Sequence, residues 1–154
     1  DVLVLLTAVD VMPCPSAERL LVVEEVLLVG GEAAVSATIA AEATQGTSSV
    51  IRLAGPDRYA TSHDVALEAQ RRGVDPSVAY VATGRDWPDG LAAAAAAGGV
   101  GGMLLLVDGI DLDASSWTAN LIAQQDRVIG NLLVVGGTAA VTPDTVARLE
   151  ALVR

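Results

Sequence analysis

The fold follows from residues 26–36, VLLVGGEAAVS, because the same pattern returns at residues 132–142 as LLVVGGTAAVT. Each copy has an apolar run of strand length, a pair of glycines, a small-residue step, and a Ser or Thr of the kind that opens a helix. Corresponding residues lie 106 positions apart, as Gly136 follows Gly30. Such repetition indicates tandem units, each built from the same strand, turn and helix.

Further strands and helices are predicted around the two copies. Four short apolar runs are predicted strands: residues 2–6, 50–53, 78–82 and 103–107. Two helical patterns are each predicted to end at a glycine: residues 59–72 at Gly73, and residues 88–97 at Gly98. Short, continuously apolar strands that alternate with helices favour an α/β fold, with a parallel sheet and helices on both of its faces.

The repeat also predicts the domain organisation. Residues 1–45 correspond to the second half of one unit, and residues 50–154 to a complete unit. Residues 44–49 between them form a short polar loop, which predicts that the two parts pack closely. The sequence leaves open whether the half unit adds strands to the same sheet or forms a separate lobe. No basic segment precedes residues 2–6, so no signal peptide is visible and the chain is expected to begin inside a longer protein.

Composition narrows the classes of function. Among 154 residues, 19 are acidic and nine are Arg, with no Lys, which gives a formal net charge of −10. Nucleic-acid binding is disfavoured, because duplex affinity requires a positive surface. Any site for an anion must therefore be a local arrangement of Arg side chains and backbone N–H groups. The chain is 52% hydrophobic but only 3% aromatic, so we expect a core of Ala, Val and Leu.

Two features that suggest other classes have structural explanations. Cys14 is the only cysteine, which excludes an intrachain disulfide, and the prolines on both sides of it favour a turn over a catalytic thiol. Residues 90–107 approach the length of a membrane span. The run is divided into an Ala-rich helix and a buried strand by four glycines, which are Gly98, Gly99, Gly101 and Gly102.

The loops that follow the strands are rich in glycine and are expected to meet at the carboxyl end of the sheet, where ligands bind. They are residues 55–58, 83–86 and 107–109, and the pairs Gly30-Gly31 and Gly136-Gly137. Glycine between strand and helix leaves backbone N–H groups at the positive end of the helix dipole, which suits phosphate or carboxylate. Arg58 and Arg85 lie in two of these loops and can bind an oxyanion in bidentate fashion. The sequence therefore predicts a small anion site.

A structural interpretation of the same loops stays open. Glycine at such junctions often serves only the turn, and aspartate often caps the helix. Pairing of Arg58 with Asp57 or Asp86 would then simply fix the loops. Thr61 and Ser62 are similarly expected to be helix-surface or capping hydroxyls.

Catalytic, metal and nucleotide sites are less favoured. A fragment of a calcium-binding loop is suggested by Asp108, Asp111 and Asp113, but the Gly and the distal Glu of a full loop are missing. A solvated loop is therefore expected there. The glycine pairs lack the third glycine of a dinucleotide fingerprint and the Lys of a P-loop. No serine sits in a nucleophile elbow, and His63 is expected to be an exposed or half-buried imidazole on a helix. No catalytic residue, metal ligand or cofactor is predicted.

Four motifs resemble the cell-wall-binding repeat type 2 (CWB2) family and occur in the order typical of it. RLAGPDRYAT at 52–61 is similar to the first, in which an Arg-bearing strand leads to Gly, an Arg-Tyr pair and Thr. VATG at 81–84, followed by WPDGLA at 87–92, is similar to the second, apart from Gly90 where Ala is usual. Residues 104–107 and 134–141 resemble the third and fourth.

This resemblance implies Rossmann-like or Toprim-like α/β modules, which commonly come in threes. It further implies a secreted surface protein of Gram-positive or related bacteria, held non-covalently by an anionic wall polymer that is teichoic-acid-like or a polysaccharide. Neighbouring repeat units or further copies of the chain are the other implied partners. The polymer-binding residues carried over by motif are Arg52, Asp57, Arg58, Thr61 and Asp89, and the loop argument adds Arg85, Gly30, Gly31, Gly136 and Gly137.

Two other functions stay open. One is a structural self-assembly module without polymer binding, which the acidic charge favours. The other is a Rossmann-like enzyme that acts on a phosphorylated or nucleotide ligand.

Overall fold

The computed structural model describes residues 7–20 and 22–153. The chain divides into two compact units, Asp1–Pro56 and Asp57–Arg154, named unit 1 and unit 2. The domain boundaries predicted above, 1–45 and 50–154, follow the sequence repeat, whereas the compact units divide after Pro56. The strand predicted at residues 2–6 lies outside the described residues.

Unit 1 contains a two-stranded parallel sheet with two helices. Its elements are α1 (Cys14–Leu20), β1 (Glu25–Val29), α2 (Ala37–Gly46) and β2 (Ser49–Leu53). In the register of the sheet, Glu25 of β1 lies opposite Ser49 of β2. The buried core of unit 1 consists of Leu20, Leu28, Val35, Ile39 and Ala43.

Unit 2 contains a three-stranded sheet in the order β4-β3-β5, with every pair parallel. Its elements are α3 (Arg58–Arg71), β3 (Val78–Thr83), α4 (Pro88–Val100), β4 (Met103–Val107), a 3-10 turn (Leu112–Ser115), α5 (Ser116–Gln124), β5 (Asn131–Val135) and α6 (Pro143–Leu152). The predicted α/β fold with parallel strands is therefore confirmed.

The core of unit 2 lies on one face of its sheet. Val81 of β3 and Leu105 of β4 are fully buried there. Three helices, α3, α5 and α6, cover this face. The buried residues that they contribute to the core are Ala66, Leu121, Ile122 and Leu149. Small and branched side chains allow this close packing without any Phe in the chain.

Helix α4 packs on the opposite face of the sheet. Side chains alternate along a strand, so Leu106 points away from the face that holds Leu105. A Cβ at Gly90 of α4 would lie 3.7 Å from Cδ2 of Leu106. All of α4 is described, and its buried residues are Ala93 and Ala97. The prediction of helices on both faces is thus confirmed in unit 2.

Both copies of the repeated motif have the same local structure. Gly30 and Gly136 have φ angles of 119° and 131°, which favour glycine because it has no Cβ. Ser36 and Thr142 then cap α2 and α6, each accepting a hydrogen bond from a backbone N–H three residues later. The strand, turn and capped helix predicted for each copy are all present.

Three local predictions are wrong. Cys14 begins α1 and does not lie in a turn, because the proline after it fits the first turn of a helix, where an N–H is not needed. α4 continues through Gly98 to Val100, because Gly101, with φ 70°, supplies the left-handed residue that ends it. α2 extends to Gly46, so half of the predicted polar loop is helical.

The apolar run at residues 90–107 forms most of α4 and all of β4, as predicted. In the part of the chain that the structure describes, every helix is too short or too polar to cross a membrane.

Candidate functional site

The glycine-rich loops of unit 2 meet at the carboxyl end of its sheet, as predicted. β3, β4 and β5 are parallel, so residues 83–86, 107–109 and 136–137 leave the sheet at the same end. The start of α3 lies there too, because Nη1 of Arg58 donates a hydrogen bond to the carbonyl oxygen of Gly84. The carboxyl end of the sheet is therefore the candidate site.

Gly84 lies directly under two side chains of α3. A Cβ at Gly84 would come within 2.7 Å of Cε1 of Tyr59 and 3.1 Å of Cδ of Arg58. The residue must be glycine for these side chains to cross the strand exit. Arg58 thus fixes the loop after β3 through the Gly84 carbonyl, whereas the predicted partners were Asp57 and Asp86, and the residue as a whole remains exposed to solvent.

Asp108 connects three segments at this end of the sheet. Its Oδ2 accepts from the hydroxyl of Tyr59 at 3.2 Å and lies 3.6 Å from Nε of Arg85. Its Oδ1 accepts from the backbone N–H groups of Ile110 and Asp111, each at 3.0 Å. The residue is only 8% exposed, so the expectation of a solvated loop at Asp108 is wrong. Within residues 7–20 and 22–153, no three His, Cys, Asp or Glu side chains are grouped to hold a metal ion.

The surroundings of Asp108 keep its carboxyl group ionised. Burial raises its pKa, but the backbone N–H groups of Asp111 and Ile110, the Tyr59 hydroxyl and the charge of Arg85 outweigh burial and hold the pKa below its ordinary value. Burial, followed by the neighbouring Asp108 charge, raises the pKa of Tyr59. At neutral pH the pair is therefore a phenol that donates to a carboxylate.

A cleft of about 400 Å³ opens between the exits of β3 and β5. We name it the loop cleft. It is lined by Thr83, Arg85, Asp86, Pro88, Asp89, Ala139 and Ala140. The structure thus brings together two of the predicted binding residues, Arg85 from the loop argument and Asp89 from the family resemblance.

The loop cleft holds one guanidinium and two carboxylates. Arg85 is 51% exposed at its side chain, so part of its guanidinium remains open to a ligand. One carboxylate oxygen of Asp86 accepts from the backbone N–H of Trp87 at 2.8 Å. Oδ2 of Asp89 would lie 2.8 Å from a Cβ at Gly136, so the absence of a side chain at Gly136 makes room for the carboxylate. The cleft can therefore accept hydrogen bonds from hydroxyl groups and donate to an anion.

Asp57 and Thr61 have structural contacts at the start of α3. Oδ1 of Asp57 accepts from the backbone N–H groups of Tyr59 and Ala60 at 2.8 Å, which makes Asp57 the helix cap. The hydroxyl of Thr61 donates to the carbonyl oxygen of Asp57 at 2.9 Å. The prediction for Ser62 is wrong: it is buried, and its hydroxyl oxygen accepts a hydrogen bond from the backbone N–H of Leu106 at 2.9 Å. Gly137, after β5, is exposed.

Arg52, Gly30 and Gly31 lie in unit 1, whereas the other predicted binding residues lie in unit 2. Nη1 of Arg52 donates to the carbonyl oxygens of Gly30 at 2.7 Å and Val35 at 2.9 Å. Arg52 therefore fixes the turn that follows β1.

Sequence reasoning missed three residues at the candidate site. Tyr59 and Asp108 form the hydrogen bond across the carboxyl end of the sheet, and Trp87 is 70% exposed between two residues of the loop cleft. The Trp87 signal was present, because this chain has only two tryptophans and one of them follows the polar loop after β3. The burial of Asp108 had no sequence signal, since an aspartate in a loop is ordinarily exposed and its partner Tyr59 is distant in the sequence.

Comparisons with known proteins agree with this architecture. The family model described as cell wall binding domain 2 (CWB2) matches residues 52–146. Comparison with curated proteins finds no match. Among solved structures, Cwp8 from Clostridium difficile is similar with a TM-score of 0.72 and 26% identity, over 94% of this chain and 24% of Cwp8. Cwp6 from Clostridium difficile has a TM-score of 0.79 and 20% identity, over 94% of this chain and 22% of Cwp6, a likeness of fold alone. The chain spans about a quarter of the length of these proteins.

Proposed function

Since the chain belongs to the cell wall binding domain 2 family and is thereby associated with the cell wall, we propose that it anchors a secreted surface protein by binding an anionic wall polymer. The loop cleft of unit 2 is the proposed contact. The role is binding without a chemical step, and it places the protein outside the cell, at the wall.

The observation that supports this proposal is that an exposed Arg85 and two carboxylates line the same cleft of about 400 Å³. A guanidinium binds phosphate or carboxylate through two parallel hydrogen bonds. The carboxylates of Asp86 and Asp89 can accept hydrogen bonds from sugar hydroxyls. A sugar chain that bears phosphate or carboxylate groups offers both kinds of partner.

Trp87 adds a flat apolar surface beside these polar groups. It lies in the chain between Asp86 and Pro88, which line the cleft, and its side chain is exposed. The face of an indole ring is electron-rich, so it attracts the weakly positive C–H groups on the face of a sugar ring. Trp and Arg are also enriched among the residues that contribute most to binding energy at protein interfaces.

The net charge of −10 determines how such a polymer would bind. The overall field of the protein repels a polyanion at long range, so attraction must arise from direct contact with Arg85. Because that contact is partly exposed, salt should weaken it. We therefore expect soluble anionic polymer and high salt to release the protein from walls.

The test is co-sedimentation of the purified chain with isolated Gram-positive cell walls. Arg85→Ala and Trp87→Ala should each weaken binding about fivefold or more, whereas Trp87→Tyr should retain most of it. Arg127→Ala is the matched control, because it removes the same charge from an exposed residue ahead of β5, at the opposite end of the sheet. Walls treated with hydrofluoric acid, which cleaves phosphodiesters, should bind less protein.

Two results would count against the proposal. One is unchanged binding of the Arg85 and Trp87 variants. The other is equal binding to walls before and after removal of their anionic polymers.

A self-assembly module is the second candidate, and helix α4 favours it. The exposed apolar residues of this helix include Leu91, Ala92, Ala94, Ala95 and Ala96, and its buried residues are Ala93 and Ala97. An exposed apolar helix surface is typical of a contact with another protein. Leu91→Gln should then abolish any concentration-dependent association in sedimentation equilibrium while leaving wall binding intact. A native chain that stays monomeric at high concentration would remove this candidate.

A further inference from the structure

The outer edge of β5, on the side away from β3, has backbone N–H and C=O groups that have no partner within the described residues. We propose that this edge binds the opening strand of another CWB2 repeat unit, in parallel, as β2 binds β1 in unit 1. The proposal does not depend on polymer binding by the loop cleft.

The backbone pattern of β5 shows which groups face outward. Among the described residues β5 pairs with β3 alone, and the N–H of Asn131 donates to the carbonyl oxygen of Ser77 at the start of β3. Successive residues of a strand direct their N–H and C=O groups to opposite sides. Leu132, Val134 and Gly136 therefore direct theirs away from β3, to the outer edge.

Unit 1 shows what occupies the corresponding edge. Gly30 is the counterpart of Gly136 in the repeated motif, and its N–H donates to the carbonyl oxygen of Leu53 in β2 at 2.8 Å. β2 thus lies on the side of β1 that corresponds to the outer edge of β5. The backbone N–H at this position is paired in the first copy of the motif, whereas in the second copy it has no backbone partner within residues 7–20 and 22–153.

The arginine of β2 also has a counterpart site in unit 2. Arg52 binds the carbonyl oxygens of Gly30 and Val35, whose counterparts are Gly136 and Val141. The turns that present these carbonyls have the same internal hydrogen bonds. The N–H of Val35 donates to the carbonyl oxygen of Gly31 at 2.9 Å, and the N–H of Val141 donates to the carbonyl oxygen of Gly137 at 3.0 Å. An arginine at the same place in a docked strand would therefore meet two correctly spaced acceptors.

The extent of the family match identifies the occupant. The match begins at Arg52, inside β2, although β2 pairs with β1 in unit 1. The first strand of one CWB2 repeat therefore completes the sheet of the preceding repeat. The occupant of the outer edge of β5 is accordingly a strand like Ser49–Leu53, apolar, with arginine as its fourth residue.

The direct test adds such a strand to the chain. SVIRLAG, the sequence of residues 49–55, is appended directly after Arg154. The interval from Val135 to the first added residue is then the same as the interval from Val29 to Ser49, so the connection to the added strand has its native length. Amide hydrogen exchange, followed by NMR, should slow about tenfold or more at Leu132, Val134 and Gly136.

Two controls make the readout specific. The N–H groups of Leu133 and Val135 already face β3, so their exchange should change much less than that of the outward residues. An added strand whose arginine is replaced by alanine should protect the outward N–H groups less, and a scrambled strand should not protect them.

Unchanged exchange at the outward N–H groups of a folded, extended chain would overturn the proposal. If the extended chain does not fold, the peptide SVIRLAGPDR at millimolar concentration is added to the native chain, and protection of the same alternate residues decides the matter. Protection that is present without any added strand and is lost on dilution would show that a second copy fills the edge, which also overturns it.

Discussion

The hydroxyl of Tyr59 donates a hydrogen bond to Oδ2 of Asp108 across 3.2 Å, which ties the start of α3 to the exit of β4. A hydrogen bond to an ionised acceptor is stronger than one between neutral groups. Arg85, in the loop after β3, lies 3.6 Å from the same oxygen. The carboxyl end of the unit 2 sheet is therefore held together by one buried charge.

We expect the stabilising effect of Asp108 to depend on pH. Its folded-state pKa lies below the ordinary value, so its contribution is present above about pH 4 and is lost as the pH falls through the folded-state pKa. In urea denaturation, Asp108→Asn should lower the free energy of unfolding at pH 7, and the gap to the native chain should narrow below pH 4. Asp126→Asn, near the other end of the sheet, is the control. A gap that stays constant with pH would contradict the assignment.

Gly84→Ala should destabilise the chain by about 1–3 kcal/mol, because its Cβ would collide with the Tyr59 ring and the Arg58 stem. Gly98→Ala is the matched control, since nothing lies within 4 Å of a Cβ there and the residue is inside α4. This control should instead stabilise the chain by about 0.5–1 kcal/mol. Thermal and urea unfolding measure both, and equal effects of the two substitutions would refute the packing at Gly84.

Gly109→Ala should cost about 3 kcal/mol or more, since a Cβ there would lie 1.8 Å from the backbone oxygen of Ala140. The backbone cannot yield as a side chain would, because Thr142 donates its N–H to the carbonyl of Gly109 at 2.8 Å. Gly137→Ala, with open space around its Cβ, should be nearly neutral. Soluble yield and urea unfolding report the difference. Native stability of Gly109→Ala would show that these loops are not in contact.

Arg52→Met should loosen unit 1 by about 1–3 kcal/mol, because it keeps the apolar stem but leaves the carbonyls of Gly30 and Val35 without their donor. Faster amide exchange in α2, at Ile39, is the measurement. Arg127→Met, at an exposed position, should leave that exchange unchanged. If Arg52 only contacts polymer, both variants should behave like the native chain.

The sequence predicted the secondary structure well, because apolar runs of four to six residues between glycine-rich loops are typical of buried parallel strands. The strand predicted at residues 50–53 is indeed β2. Its partner could not be predicted, because an apolar strand has the same pattern whichever neighbour it pairs with. Helix ends were less accurate, as Gly98 shows: glycine weakens a helix without ending it unless the chain needs a left-handed residue there.

The candidate site was predicted only in part. Arg85 and Asp89 do meet in the loop cleft, because parallel strands bring their exits to one end of the sheet. Arg52 and Gly30 were predicted to bind polymer, and the structure shows Arg52 bonded to the turn in unit 1. Asp108 was expected in solvent, since burial depends on packing from distant segments, here Tyr59, that local polarity does not reveal.

The contact between Gly109 and Ala140 brings two loops together backbone to backbone, with no side chain between them. This part of the floor of the carboxyl end of the unit 2 sheet is thus main chain, whose form is set by the strands that deliver it. Substitutions around the rim can change charge, hydrogen bonding and aromatic character while the floor keeps its contour. If the loop cleft binds polymer as proposed, selectivity for different ligands can diverge on this scaffold one side chain at a time, without a new loop conformation.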